Sequence, residues 1–207
     1  TPVFHFTHLD NLANVLDHGL LADSVASARG LLQVEVGNVG IKDGRRARVV
    51  EVDPGGFVSD YVPFYFAPRS PMMYSIHRNN VPTYDGGCAE LVYLVSTVES
   101  LTAAGCRLVF SDRNAVKNYA AFAGLGPVLD DLIDWPLMRA QYWNDTPQFP
   151  DRMERRMAEC LAHASVPWVA VEQVSAFSAH VAERVTTLLS DRGLATPVSV
   201  RPDWYFT

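Results

Sequence analysis

The chain has 207 residues, 48% of them hydrophobic and 19% charged, which is enough for one domain with a proper core and ordinary for a soluble globular protein. The formal net charge of −6 runs against the basic balance usual in nucleic-acid binders, and no run of about 18 apolar residues is present to span a membrane. Cys88, Cys106 and Cys160 lie far apart with no Cys-x-x-Cys pair, which excludes a disulfide framework or a zinc-finger pattern. With no signal peptide legible at Thr1, this points to a cytoplasmic protein.

No repeat, low-complexity tract or linker divides the sequence, so residues 1–207 are expected to form a single domain. PVFHFTH alternates and predicts a strand that sets His5 and Thr7 on one face. A helix is expected from Leu9, capped by Asp10, with Leu12, Val15 and Leu16 as its apolar stripe and Gly19 as its end. Residues 22–60 carry little periodicity and much glycine, and read as a long, partly helical excursion of the kind that serves function in compact domains. Inside it, IKDGRRARVV (41–50) sets Lys42, Arg45, Arg46 and Arg48 against Asp43 alone, a local charge of +3 that leaves −9 for the rest. That cluster is either a solvated basic loop or a narrow channel that steers one strand of nucleic acid.

Residues 62–67 read as a strand and PMMYSIHR as a short helix or turn after Pro71. Between them Arg69 and Ser70 stand between two prolines, in an extended, rigid bend suited to presenting polar groups to a ligand. AELVYLVS predicts a buried strand, VESLTAAG a capped helix closed by Gly105, and RLVFSD another strand. Residues 114–150 mix a helical stretch with a Trp/Tyr/Pro-rich segment. AECLAHASVPW and VAVEQVSAFS read as strands, HVAERVTTLLSDRG as an amphipathic helix, and PVSVRPDWYF as a closing strand. Strands with few intervening helices predict an α+β architecture. There is no G-x-G-x-x-G, no P-loop and no G-x-S-x-G. Glu159, opening an apolar strand, is either an exposed strand-end charge or a cleft residue.

Six blocks, FHFTHLDNL, IKDGRRARVV, GGFVSDYVPFYFAPRSPMMYSI, FSDRNA, RRMAECL and DWYF, occur in this order between about residues 3 and 206. Together they resemble the DarT family of bacterial DNA ADP-ribosyltransferase toxins, with DYVPFYFAPRSPM the most specific string. The resemblance implies a mono-ADP-ribosyltransferase fold, a split β-sheet with an NAD-binding cleft and surrounding helices. It implies that His5 hydrogen-bonds the adenosine ribose, that Thr7, His8 and Asn11 help hold the dinucleotide, and that Tyr65 and Met72 frame the nicotinamide and its ribose. Arg69 and Ser70 would stand on the same wall, with Arg69 near the pyrophosphate on grounds of its charge.

Glu159 matches the family's catalytic glutamate, and Arg45 the arginine that acts on the base, with a one-residue ambiguity toward Arg46. A guanidinium is a very poor base, so Arg45 is expected to position or stabilise the deprotonated base, with Glu159 sharing in proton removal. Lys42, Arg46, Arg48, Tyr142 and Trp143 are the expected DNA contacts, although Trp135, Tyr142 and Trp143 read equally as core. Gly44 stands where the resemblance leads one to expect a second arginine. The implied acceptor is thymidine in single-stranded DNA, with a guanine base, RNA or protein as the alternative. The implied partner is a macrodomain antitoxin of the DarG kind, and the expected state is a monomer with no metal and no membrane contact.

Overall fold

The structure, a computed structural model, describes residues 1–126 and 129–207. The alternation of PVFHFTH becomes β1 (Pro2–His8), which buries Phe4 and Phe6 on one face and Val3 on the other. A 3-10 turn at Leu9–Asn11 leads into α1 (Leu12–His18). The capping residue is His8 rather than Asp10: the strand runs on to His8, whose ring accepts from the Asp10 amide. Gly19 closes α1 at φ 79, and a Cβ there would stand 2.9 Å from the Val166 carbonyl oxygen, so both the conformation and the close approach require glycine.

After β2 (Leu20–Leu21), the excursion resolves into α2 (Asp23–Arg29), α3 (Val39–Ala47) and a 3-10 turn at Val58–Asp60. Asn38 caps α3 by accepting from the amides of Gly40 and Ile41. β3 (Tyr61–Tyr65) follows, then α4 (Pro71–His77), which starts on a proline and is capped by Ser70. β4 (Leu91–Thr97) runs into α5 (Val98–Ala103), capped by Thr97, and then come β5 (Leu108–Ser111) and β6 (Phe122–Gly124). Short helices α6 (Leu129–Leu132), α7 (Trp135–Arg139) and α8 (Arg152–Arg155) occupy the next stretch. β7 (Glu159–His163), β8 (Ser165–Val166), β9 (Gln173–Ala176), α9 (Ala179–Ser190) and β10 (Val198–Val200) complete the order.

Three expected strands are shorter than the sequence suggests. AECLAHASVPW breaks at Ala164, φ 63, so that β7 stays in the large sheet while β8 pairs with β2. VAVEQVSAFS spends its start on a 3-10 turn, Trp168–Ala170, before β9. PVSVRPDWYF keeps only β10 before Pro202, which has no amide to donate, opens a 3-10 turn at Pro202–Trp204.

The large sheet has the order β10-β9-β4-β1-β3-β7-β5-β6, antiparallel except for β9 beside β10. β1 pairs with β4 from Pro2↔Thr97 to His8↔Leu91, and β3 with β7 from Tyr61↔His163 to Tyr65↔Glu159. β1 and β3 themselves meet only at Phe4↔Tyr65, so the sheet splits between them. This is the expected α+β, split-sheet fold. One face carries a continuous core around Phe64, Leu94 and Phe110. The other carries two separate clusters, one on Phe4, Phe6 and Tyr93 and one on Tyr61, Val109 and Leu161. Among the described residues no helix is long and apolar enough to cross a membrane.

Candidate active site

The divergence of β1 from β3 opens a cleft of about 230 Å³. His5 and Thr7 of β1, Tyr65 of β3, Met72 of α4 and Arg45 of α3 line it, with Asn11 at one side. His5 spans the split: its Nδ1 lies 2.8 Å from the Pro63 carbonyl oxygen. A carbonyl only accepts, so Nδ1 carries the proton and Nε2 is left as an acceptor. Burial pushes the imidazole down to about 4, and the Arg45 charge adds to the same effect against the pull of the Pro63 carbonyl, so the ring is neutral at pH 7.

Asn11 ties the excursion to β1. Its Oδ1 accepts from the amides of Gln33 and Val34, both at 2.9 Å, and its Nδ2 donates to Thr7 Oγ1 at 3.2 Å and to the Val34 carbonyl at 2.8 Å. Asn11 therefore builds the cleft wall with its polar atoms already engaged. Tyr65 lies on Phe6 with ring centroids 6.3 Å apart and planes 22° apart; burial, then the nearby Glu159, push its phenol well above the usual range.

Glu159 opens β7 between Tyr65 of β3 and Ser111 of β5, and is 1% exposed. It is a buried residue beside the cleft-lining Tyr65, and not a strand-end surface charge. Arg45 reaches it across the cleft: Nη1 stands 3.1 Å from Oε1 and 3.0 Å from Oε2. Burial pushes the Glu159 carboxyl up, and the Arg45 guanidinium opposes this by charge and hydrogen bonding. The other terminal nitrogen, Nη2 of Arg45, is buried without a partner among the described residues, a donor suited to a ligand oxygen.

The remaining cations of the 41–50 cluster go elsewhere. Lys42, on the cleft rim, pairs with Asp23 and Glu35; Arg46 pairs with Asp43 at 3.0 Å and Asp23 at 3.2 Å. Arg48 donates to the Ala120 carbonyl at 3.3 Å and lies over the Phe122 ring at 5.2 Å. The cluster is thus neither a solvated loop nor an open basic channel. It stitches α3 to α2 and to the 114–122 segment, and it is Arg45, not Arg46, that meets Glu159. Gly44 has a packing reason, since a Cβ there would come within 2.8 Å of Val116 Cγ1.

Several expected contacts lie outside the cleft lining. His8 is engaged with Asp10 and sets its ring edge-on to Tyr84, and the Ser70 hydroxyl is buried as the cap of α4. Arg69, at φ 55, is exposed, with its guanidinium 4.5 Å from the Phe206 ring centroid. Trp143 is 8% exposed and packs as core, while Tyr142 is 74% exposed. Trp135 packs edge-on against Phe66. Reasoning from sequence missed Arg156, a 5%-exposed cation that donates to the carbonyls of Leu137, Met138, Ala140 and Pro68. Its only signal was membership of the RRMAECL block, since a helix-to-strand junction has no spacing to read. The acidic partners Asp23 and Glu35 were missed for the same reason.

A sheet split over a buried glutamate, with an arginine and a neutral histidine converging on the gap, is the architecture of an ADP-ribosyltransferase. Residues 4–206 match the family model described as "ssDNA thymidine ADP-ribosyltransferase, DarT". The chain is 36% identical to a DNA ADP-ribosyl transferase of Thermus sp. strain 2.9 over 100% of its own length and 96% of that protein. It is 35% identical to one of Mycobacterium tuberculosis over 99% of this chain and 88% of that one. Thermus sp. 2.9 DarT in complex with ADP-ribosylated single-stranded DNA superposes with a TM-score of 0.90, covering 100% of this chain and 96% of the other. The NAD+ complex of that protein gives 0.86 at 34% identity, covering 100% and 98%. The chain belongs to the DarT family and is a DNA ADP-ribosyltransferase.

Proposed function

We propose that this enzyme takes ADP-ribose from NAD and attaches it to thymidine in single-stranded DNA, as the toxin of a pair held in check by a macrodomain antitoxin. The observation that carries the reading is the pairing of Arg45, which lines the split-sheet cleft, with the buried Glu159. The Thermus relative solved with NAD+ and with ADP-ribosylated single-stranded DNA supports the donor and the polymer. The thymidine acceptor is supported by the family description, and the toxin role and its partner by the motif resemblance.

The reaction breaks the bond between C1′ of the nicotinamide ribose and nicotinamide, forms a bond from C1′ to N3 of thymine, and releases the N3 proton. Positive charge develops on the ribose as nicotinamide departs, as in glycoside hydrolysis. Glu159, whose ionised form Arg45 favours against the effect of burial, is the carboxylate that accepts from the ribose 2′-hydroxyl and stabilises that charge, and it receives the N3 proton. A guanidinium is a very poor base, so Arg45 acts here through its charge and its N–H donors. Its unpartnered Nη2 is the donor that holds the base as it becomes anionic. His5 offers Nε2 as an acceptor to a hydroxyl of the dinucleotide.

Mass spectrometry of single strands incubated with NAD tests the proposal. Thymine-bearing strands are expected to gain one ADP-ribose each and release nicotinamide. Equal modification of a strand that lacks thymine would overturn the acceptor, and modification of neither would overturn the DNA reaction in this chain.

A further inference from the structure

We infer that the surface formed by Arg69, Tyr74, His77 and Phe206 is a second contact for the single strand, a stacking subsite for a nucleotide flanking the modified base. The inference rests on the reading of this enzyme as acting on single-stranded DNA.

Phe206 is the centre of the cluster. Tyr74 meets it with centroids 5.1 Å apart, His77 at 6.1 Å and Trp143 at 6.4 Å, and the Arg69 guanidinium lies over it at 4.5 Å. Trp143 is the buried wall of the group, whereas Tyr74 is 39% exposed and Arg69 lies on the surface. The neighbouring carboxylate, Asp203, is taken by Arg201 at 2.7 Å, and no ion pair among the described residues involves Arg69. Aromatic faces beside a flat, unneutralised guanidinium are what a nucleotide needs: a ring to stack on and a fork for its phosphate.

The place in the fold is also right. Tyr65 is the cross-strand partner of Glu159, and Arg69 follows it by four residues, so Tyr65 and Arg69 are at most about 14 Å apart along the chain. Met72 in the first turn of α4 lines the cleft, while Tyr74 and His77 lie further along the same helix. Cleft and platform thus share one rigid element. Arg156 fastens the bend by donating to the Pro68 carbonyl at 3.0 Å, and the Arg69 amide donates to the Tyr93 hydroxyl at 3.3 Å. On a chain of net charge −6, a cation left unpaired beside aromatic rings favours one strand of nucleic acid over an acidic protein surface. Stacking accepts any base, so this subsite supplies affinity and length dependence, not sequence choice.

The test is steady-state transfer to thymine-bearing oligonucleotides of decreasing length, with Tyr74→Ala and Arg69→Gln beside wild type. Each variant is expected to raise KM for a long oligonucleotide about tenfold, the lower part of the range for loss of one stacked base, with kcat within about twofold. KM for NAD is expected to stay the same in Tyr74→Ala, Arg69→Gln to flatten the salt dependence, and wild type and variants to converge on the shortest strand. Tyr74→Leu, which keeps the bulk and loses the ring face, replaces Tyr74→Ala if the alanine variant unfolds. Wild-type KM at every length, or a parallel rise in KM for NAD in Tyr74→Ala, would overturn the inference. If wild type modifies no single strand at all, the acceptor reading falls first and this inference with it.

Discussion

Arg45 and Glu159 are 114 residues apart in sequence, yet one guanidinium nitrogen bridges both carboxylate oxygens at 3.1 and 3.0 Å. Two independent pieces of chain set that geometry. β7 buries Glu159 between Tyr65 and Ser111, and α3 is held near it by the pairing of Lys42 and Arg46 with acidic residues of α2 and the excursion. Burial favours the protonated carboxyl, and the arginine opposes that shift by charge and hydrogen bonding.

Glu159→Gln keeps the shape of the side chain and removes the charge. Transfer to DNA is expected to fall by about 10³-fold or more, while far-UV circular dichroism and the cooperativity of unfolding stay as in wild type. Retention of more than a tenth of the activity would move the catalytic assignment off Glu159.

Because Arg45 opposes the burial-driven rise of the Glu159 pKa, its removal must raise that pKa further. Arg45→Gln is therefore expected to lower activity about 10²-fold and to displace the acidic limb of the pH–rate profile to higher pH. Arg46→Gln, whose wild-type contacts are Asp43 and Asp23, is expected to leave that limb in place. An unmoved limb in Arg45→Gln would break the electrostatic link.

Part of this site is legible in the sequence. PVFHFTH gave β1 and the placement of His5 and Thr7, and the paired prolines around Arg69 and Ser70 marked the bend that starts α4. What was not readable depends on long-range partners. Whether Glu159 is buried or on the surface is decided by β3 and β5 on either side of it. The direction of each cation in 41–50 is decided by Asp23, Glu35 and the 114–122 segment. Ala164 at φ 63 breaks a strand whose residues favour continuing it, a tertiary override no local pattern announces. Ser70, a polar residue at a strand end, also caps α4, a role set by the helix that follows it.

His5 ties the site to acid stability. Its folded pKa of about 4 lies below the 6.5 of a free imidazole, so as pH falls the unfolded chain takes up the proton first. This contribution is complete above about pH 6.5 and is lost progressively toward pH 4, by on the order of 2 kcal/mol once the partial exposure of the ring is allowed for. Urea unfolding at pH 7, 5.5 and 4.5 should show the loss in wild type and a shallower dependence in His5→Asn, whose amide keeps a donor for the Pro63 carbonyl. Equal slopes would mean that the ring is not held neutral.

Arg156 carries its charge into the core with no carboxylate partner among the described residues. Burial lowers its pKa to about 10, so it remains a cation at neutral pH, and its four carbonyl bonds join α7, the Pro68 bend and the strand that bears Glu159. Arg156→Met leaves those carbonyls without their donor and is expected to cost about 3 kcal/mol, some 6–12 °C in Tm for a chain of this size. Arg156→Lys, with a single nitrogen in place of the fork, should recover less than half of that. A thermal shift under about 2 °C for Arg156→Met would show the bonds to be dispensable.

Gly44 offers a test with an unusual sign. Glycine inside a helix normally costs about 1 kcal/mol relative to alanine, so Gly44→Ala ought to stabilise α3. Here the new Cβ would stand 2.8 Å from Cγ1 of Val116, a β-branched side chain with little freedom to turn away. Gly44→Ala is therefore expected to destabilise by about 1–2 kcal/mol, and Val116→Ala in the same chain to restore what was lost, a coupling measurable by a double-mutant cycle. Additive single effects would mean that the helix and the 114–120 loop are not in register at this point. If the coupling holds, an arginine at position 44 would require that loop to move, so the glycine and the loop conformation are one structural choice.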